Sequence, residues 1–125
     1  MIITRDQEQV PTRIRMRIWD NWHNHFRRRG DPRFNPTVDY LSRFCARSNG
    51  MGNHDPDPTL TASEMLREKA DVEEVAVLLG RPYFRVLPTI MVSPQTTPWM
   101  VEEAIDAGAY GIKVMPANAT PHSVH

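Results

Sequence analysis

The chain is poor in the features that mark secreted, membrane or repetitive proteins. Its single cysteine, Cys45, excludes an internal disulfide and fits a reducing compartment, where we expect a packed thiol and not a nucleophile. No apolar run approaches the ~20 residues of a membrane span, and the segment Met1 to Asp6 does not open a secretory signal. We therefore expect a soluble cytoplasmic protein without a membrane partner.

Lysine is scarce as well, since only Lys69 and Lys113 stand beside thirteen arginines. The 15 basic and 15 acidic residues cancel, yet residues 1–54 hold ten arginines and five acids, whereas residues 55–125 hold five basic and ten acidic residues. Such asymmetry can mark a nucleic-acid surface. Because the arginines are spread over expected strands and loops, we expect instead two halves that complement each other, and no nucleic-acid partner.

Alternating and turn-rich segments predict strands separated by loops in the first half of the chain. Apolar and arginine residues alternate over residues 13–18, the period of a half-exposed strand, and a second extended stretch follows. Residues 27–39 indicate a loop, Val38 to Ala46 is a short apolar segment of uncertain type, and residues 48–58 indicate another loop after a short strand.

Two helices and two strands are predicted in the second half. Thr61 and Glu64 form a capping-box pattern that opens a helix ending at Gly80. Thr97 and Pro98 predict the start of a second helix, which ends at Gly108. Strands are expected over 84–92, where Pro88 is awkward for a central ladder, and over 109–115.

Alternating strands and helices predict an α/β fold with a parallel sheet of about four strands. A chain of 125 residues with 40% hydrophobic residues can form one domain. An eight-fold (β/α)8 barrel needs ~250 residues, so the chain is near half of one if it has that architecture. We therefore expect a partial (β/α)8 TIM barrel, roughly its first four strand-helix units.

Two segments carry residues typical of metal sites. His23 and His25 lie two apart in an expected strand, so both imidazoles can face one ion. Lys113 lies in the apolar run YGIKVM, where a buried amine is costly unless it is neutralised or modified. A histidine pair alone is weak evidence, because nearby histidines are more often surface or core residues.

Three motifs resemble class II dihydroorotase of the amidohydrolase superfamily. The segment DNWHNHFR at 20–27 resembles the family's D-x-W-H-x-H-x-R, and MGN at 51–53 is similar to its M-P-N, with Gly52 in place of proline. The run KVMPANAT at 113–120 resembles the family's lysine strand and following loop almost without a break. The likeness covers roughly residues 13–125, and it implies that residues 1–125 are the N-terminal part of such a barrel.

The resemblance implies a binuclear zinc site. His23 and His25 would bind one of two zinc ions, and Lys113 would be N-carboxylated and bridge both. Arg27 and Asn53 would bind the substrate carboxylate, a bidentate task for arginine, although a turn residue is the alternative for Asn53. Thr120 would offer a hydroxyl to the substrate, but Pro121 replaces a second threonine of the family and leaves loop recognition open.

The resemblance also implies an activity in pyrimidine synthesis. This is the reversible hydrolysis of the cyclic amide of L-dihydroorotate to N-carbamoyl-L-aspartate by a zinc-bridged hydroxide. We find no counterpart of the family's two later histidines and its catalytic aspartate, and therefore expect the 125 residues alone to be inactive. A hydantoinase-like enzyme and a non-catalytic metal-binding or assembly fragment remain alternatives, and a homodimer of the full-length protein stays open.

The remaining polar candidates are expected to face solvent. Arg28 and Arg29 indicate solvated loop charges, and His54, His122 and His125 are expected to be solvent-facing and not metal ligands. An open half barrel would leave an unpaired strand edge, which favours self-association.

Overall fold

Strands and helices alternate along the part of the chain that the computed structural model describes, residues 2–5, 11–15, 18–54 and 57–116. In chain order the elements are β1 (Ile2–Arg5), β2 (Pro11–Arg15), β3 (Trp19–Asn24), α1 (Phe34–Phe44), β4 (Cys45–Gly50), α2 (Ala62–Leu78), β5 (Arg85–Met91), α3 (Pro98–Asp106) and β6 (Gly111–Lys113). None of the helices in these ranges has the length and apolar character needed to cross a bilayer.

The main sheet is parallel, with strand order β3-β4-β5-β6. Each neighbouring pair is joined by a crossover that contains a helix, so the α/β class predicted from the sequence is confirmed. In a flat sheet β3 and β6 would lie ~14 Å apart, at ~4.8 Å per step. The rings of Trp22 on β3 and Tyr110 beside β6 nevertheless lie 5.9 Å apart, which indicates that the sheet curls.

The first predicted strand does not belong to this sheet. The alternating segment 13–18 was expected to be a strand, and β2 ends at Arg15 and pairs antiparallel with β1 in a separate two-stranded sheet. The expected strand 109–115 is also shorter, because pairing of β6 with β5 extends only from Gly111 to Lys113.

The sequence prediction missed helix α1, because most of it was assigned to a loop, and it also did not include β1. It begins at Phe34, after Asp31 accepts hydrogen bonds from the backbone N–H groups of Arg33 and Phe34 at 2.8 and 2.9 Å. Phe34, Val38 and Leu41 are buried at helical spacing. Their period was visible in the sequence but was outweighed by Pro36, which is tolerated in the first turn of a helix.

The two predicted helix starts are confirmed. Thr61 accepts a hydrogen bond from the Glu64 backbone N–H, and the Glu64 side chain accepts from the Thr61 backbone, which completes the capping box of α2. Thr97 accepts from the Met100 N–H and Pro98 begins α3. Pro88 is accommodated in β5, where its carbonyl accepts from the Tyr110 N–H at 2.8 Å.

The core lies between the sheet and its helices in two clusters. The larger consists of Phe26, Phe34, Val38, Leu41, Cys45, Val72, Val75, Ala76, Phe84 and Val86. The smaller contains Met65, Ile90 and Ala104. Cys45 is buried in the larger cluster, and burial raises the pKa of its thiol, so a packed thiol is what the structure contains.

The polar run at residues 47–50, unusual for a barrel strand, forms cross-strand contacts between β4 and β3. Arg47 pairs with Asp20, and the Ser48 hydroxyl donates to Asn21 Oδ1 at 3.3 Å. The polar side chains of β4 therefore have polar partners on β3, and these pairs form within the sheet.

Candidate functional site

The two histidines of the predicted pair meet at the carboxyl end of β3. His23 lies in β3 and His25 follows its last residue. Their Nε2 atoms are 3.2 Å apart, and the ring centroids are separated by 5.1 Å. This spacing fits a hydrogen bond in which one ring donates to the other. It fits equally two ligands of one tetrahedral zinc ion, whose nitrogens at ~2.0–2.1 Å from the metal lie about 3.3 Å apart.

His25 is held in the neutral form that can bind a metal. Burial is the main cause that lowers the pKa of His25 to about 4, and electrostatic interactions with His23, Arg27, His54 and Lys113 contribute to the same shift. At neutral pH its imidazole is therefore uncharged. Two of these groups, His54 and Lys113, are distant from His25 in the sequence, so the fold brings them close enough to affect its pKa.

Lys113 lies at the end of β6, paired with Met91 of β5. Its setting is less apolar than the sequence indicated, because the side chain is half-buried and the flanking Ile112 and Val114 are exposed. Gly111, two residues earlier, leaves room on this strand, since a Cβ there would only touch Thr89 at 3.6 Å. The premise that Lys113 is buried among apolar neighbours is thus wrong. Lys113 nevertheless lies close enough to His25 to affect the pKa of that histidine.

Arg27 occupies an unusual backbone conformation next to the histidines. Its φ of 73° is positive, a region that side chains other than glycine rarely adopt. Phe26 on one side is fully buried and packs edge-to-face on Phe84, with centroids 6.4 Å apart. Such strain persists only where the surroundings fix the chain, and it is found disproportionately at functional sites.

Asn53 follows β4 in a tightly packed segment. A Cβ on Gly52 would lie 2.8 Å from the Met91 backbone nitrogen, and the Gly52 N–H donates to Thr89 Oγ1 at 3.1 Å. Proline at this position would clash and would lack that N–H. The replacement of the family's proline by Gly52 is therefore explained by the close approach of β5.

His54 is buried, which corrects the expectation that it faces solvent. It is 3% exposed, and its Nε2 lies 2.8 Å from Glu68 Oε2. The Thr59 hydroxyl donates to the same oxygen at 2.7 Å. The helical spacing of Glu68 with Met65 and Val72 could have shown that a carboxylate belongs to the buried face of α2.

Arg28 is also not the solvated loop charge that the sequence indicated. It is half-buried, its Nε and Nη2 donate to the carbonyls of Asp57 and Pro58 at 3.2 Å each, and its Nη1 is 3.8 Å from Glu68 Oε2. Arg29 does lie at the surface, where it pairs with Asp71 and Glu74 of α2.

Polar atoms without a protein partner gather at this end of the sheet. In the described ranges, five buried side-chain atoms make no hydrogen bond, namely Asn24 Nδ2, His25 Nδ1, Asn49 Oδ1, Asn53 Oδ1 and His54 Nδ1. All five belong to β3, to β4 or to the residues that follow them. Buried polar groups are normally satisfied, so such a group of atoms indicates a place for a ligand or water.

The described residues do not complete a metal site by themselves. No group of three or more histidine, cysteine, aspartate or glutamate side chains gathers within residues 2–5, 11–15, 18–54 and 57–116. Thr120, Pro121, His122 and His125 lie outside those residues, so their predicted roles and exposure stay predictions.

Comparison with known proteins shows that the chain is similar to two dihydroorotases. No protein-family model matches the chain. It is 35% identical over 104 residues to a dihydroorotase of Neisseria meningitidis, a match that covers 83% of this chain and 29% of that relative. Its fold resembles the crystal structure of a dihydroorotase from Campylobacter jejuni, with a TM-score of 0.66 and 20% identity over 85% of this chain and 29% of that one. The fold is thus a partial barrel, and the chain spans under a third of either relative.

Proposed function

We propose that this chain, whose predicted resemblance to the dihydroorotases is confirmed, supplies part of the active site of a zinc-dependent cyclic amide hydrolase. The proposed reaction is the reversible hydrolysis of L-dihydroorotate to N-carbamoyl-L-aspartate, a step of pyrimidine synthesis. The observation that carries the proposal is the convergence of His23 and His25, with Nε2 atoms 3.2 Å apart, at the carboxyl end of a barrel strand. Residues at that end of barrel strands are the ones that act in catalysis.

The donor set fits zinc. His23 and His25 would hold one ion, and Lys113, N-carboxylated, would contribute oxygens to two. The low pKa of His25 keeps its imidazole available as a ligand at neutral pH. When bound, zinc lowers the pKa of a coordinated water and polarises a carbonyl, which is the chemistry that amide hydrolysis needs.

Arg27 and Asn53 are proposed to bind the carboxylate of the substrate. Arg27 follows the histidine pair by two residues, and a guanidinium recognises a carboxylate through two parallel hydrogen bonds. Asn53 would donate to the carboxylate from its Nδ2 group, since a carboxylate only accepts hydrogen bonds, and its buried Oδ1 has no partner in the described residues. Thr120, which follows β6 in the sequence, is proposed to add a hydroxyl.

The proposed site is incomplete within the described residues. Two histidines and one lysine are fewer ligands than two zinc ions require, and no third histidine, cysteine or carboxylate joins the pair there. We therefore propose that residues 1–125 alone are inactive, and that the activity belongs to a natural gene product that carries the remaining ligands. Its cytoplasmic location and a homodimeric state are further proposals.

A non-catalytic metal-binding fragment is the second candidate. The observation that favours it is the same shortage of ligands among the described residues. Such a fragment would bind zinc through His23 and His25 and would hydrolyse nothing, even in its natural form.

The deciding experiment compares two lysine substitutions in the natural gene product that contains this chain. Arginine keeps the positive charge of lysine but cannot form a stable carbamate, so Lys113→Arg should abolish the second zinc and lower kcat by at least about 100-fold. Lys69→Arg is the matched control, since Lys69 pairs only with Glu73 and the Val86 carbonyl in the described structure, and it should leave kcat within about twofold.

Zinc stoichiometry by elemental analysis and turnover of dihydroorotate and hydantoin are measured for both variants. Equal activity of Lys113→Arg and the parent would refute the role of Lys113. Zinc bound by His23 and His25 without turnover of either substrate would favour the metal-binding fragment, and faster turnover of hydantoin would identify a hydantoinase-like enzyme.

A further inference from the structure

The carboxylate of Glu68 is a buried charge on an otherwise apolar helix face. Glu68 is 6% exposed and lies on the same side of α2 as Met65, Val72 and Val75. Burying a carboxylate is costly unless hydrogen bonds and opposite charge offset the loss of water. Space for it is provided by Gly50, where a Cβ would lie only 3.1 Å from Glu68 Oε1. A buried group of this kind requires specific partners.

The partners of Glu68 come from the loops that follow β3 and β4. The Thr59 hydroxyl donates to Oε2 at 2.7 Å, His54 Nε2 lies 2.8 Å from that oxygen, and Arg28 Nη1 lies 3.8 Å from it. A carboxylate only accepts, so Nε2 of His54 is the donor in that contact. Arg28 in turn donates to the carbonyls of Asp57 and Pro58. One carboxylate thus joins both loops to α2.

Each loop residue held in this way adjoins a proposed substrate-binding residue. Arg28 follows Arg27, whose backbone is strained at φ 73°, and His54 follows Asn53. Arg27 is therefore fixed between Phe26, which is buried in the core, and Arg28, which is held by the Glu68 carboxylate and the second loop. Since one peptide bond separates each anchor from its neighbour, a shift of His54 or Arg28 must move Asn53 or Arg27.

We infer that Glu68 is a positioning residue that sets the relative placement of Arg27 and Asn53 for binding a substrate carboxylate. It does not touch the substrate, and it acts through Arg28, His54 and Thr59. The inference deepens the proposed function and rests on it for the role of Arg27 and Asn53. The contacts that join the two loops at the Glu68 carboxylate are observed in the structure and do not depend on the proposed activity.

Glu68→Gln tests the inference, with Glu74→Gln as the matched control on the same helix. Glutamine keeps the size of the side chain and can still offer one oxygen to Thr59 and His54, but it removes the negative charge that pairs with Arg28 and strengthens the contact with His54. Glu74 is 58% exposed and pairs with Arg29 at the surface, so its substitution changes the charge of α2 equally and removes one surface pair of the β3 loop, but it removes no contact of Arg28, His54 or Thr59. Thr59→Val is a milder variant that removes a single donor, in case Glu68→Gln does not fold.

Amide hydrogen exchange measures the stability of the loop after β4 directly and does not depend on enzyme activity. The backbone N–H groups of Met51, Gly52 and Thr59 donate to Asn24 O, Thr89 Oγ1 and Gly52 O in the folded chain. In Glu68→Gln they should exchange about tenfold faster, while amides of β5 and α3 keep their rates. Unchanged rates at all three positions would overturn the inference, whatever the enzyme assay shows.

Kinetics of the natural gene product test the consequence for binding. Misplaced binding groups should raise KM for dihydroorotate about tenfold while kcat stays within about threefold and zinc content is unchanged. Glu74→Gln should match the parent in KM. If the parent is active and Glu68→Gln has the same KM, the inference is refuted and the proposed function stands. If the parent neither binds zinc nor hydrolyses dihydroorotate, the proposed function is refuted. The hydrogen-exchange result then decides whether Glu68 positions the two loops.

Discussion

The carboxyl ends of β3 and β4 differ sharply from those of β5 and β6, although all four strands form one parallel sheet. At β3 and β4, five buried polar atoms in the described residues lack a partner. After β5, Ser93 and Thr96 satisfy each other, Val92 N–H donates to the Lys113 carbonyl at 2.9 Å, and Thr97 caps α3. None of the unpartnered atoms found in the described ranges belongs to β5, β6 or the residues after them.

The difference shows how stability and binding are divided over the sheet. A loop whose polar groups are satisfied internally contributes to the fold, and those satisfied groups gain little from a ligand. A loop with buried, unsatisfied groups is less stable by itself and can gain hydrogen bonds when a ligand enters. The β3 and β4 loops are of the second kind, and they also carry the strained Arg27.

Removal of the Phe26 side chain should have the largest effect on stability. It should also weaken zinc binding at the carboxyl end of β3. Phe26 is fully buried between His25 and Arg27, so Phe26→Ala should lower the free energy of unfolding by about 3–5 kcal/mol, as measured by urea denaturation. Ile90→Ala, in the smaller core cluster at β5, should lower it by a comparable amount, about 2–5 kcal/mol.

The two core variants should differ in zinc affinity, because only Phe26 adjoins a proposed ligand. Calorimetric titration should show weaker zinc binding for Phe26→Ala and unchanged binding for Ile90→Ala. Equal zinc affinity of both variants would mean that core packing at Phe26 affects zinc binding no more than core packing at Ile90 does.

Introduction of the family's proline at position 52 should destabilise this chain. Gly52→Pro removes the N–H that donates to Thr89 Oγ1 and places ring atoms against the Met91 backbone, so we expect a loss of about 3 kcal/mol or more in urea denaturation. Gly80→Ala is the control, because Gly80 is exposed and has a positive φ but no close neighbour, and it should cost only about 1 kcal/mol. A neutral Gly52→Pro would contradict the close approach of β4 and β5.

The protonation of His25 should give an effect that is confined to mildly acidic pH and is absent at neutral pH. Its pKa in the metal-free folded chain is lowered to about 4, whereas an unfolded histidine titrates near 6.5. The unfolded state therefore binds more protons between these values, and stability contributed by neutral His25 is lost as pH falls from about 6.5 towards 4. NMR titration with a chelator present should place its midpoint well below that of an exposed histidine, and a midpoint near 6.5 would contradict the burial of this ring.

Local sequence signals determined the helices α2 and α3 and the spacing of the two histidines. The capping residues Thr61 and Thr97 each accept from a backbone N–H three positions away, so the sequence contains both partners of each hydrogen bond within one helical turn. The motif at residues 113–120 similarly identified the relatives without knowledge of the fold. These features could be predicted because their causes lie within a few residues of each other.

Tertiary structure alone decided the burial of His54, the anchoring of Arg28 and the low pKa of His25. Glu68 reaches His54 over 14 residues and Arg28 over a longer separation, and the charges around His25 come from β3, β6 and the loop after β4. Helix α1 was missed because Pro36 and Asp31 are typical of loops as well as of helix starts, and only its packing against the sheet distinguishes the two. Desolvation and long-range charge depend on which segments meet in space, and the order of residues along the chain does not specify this directly.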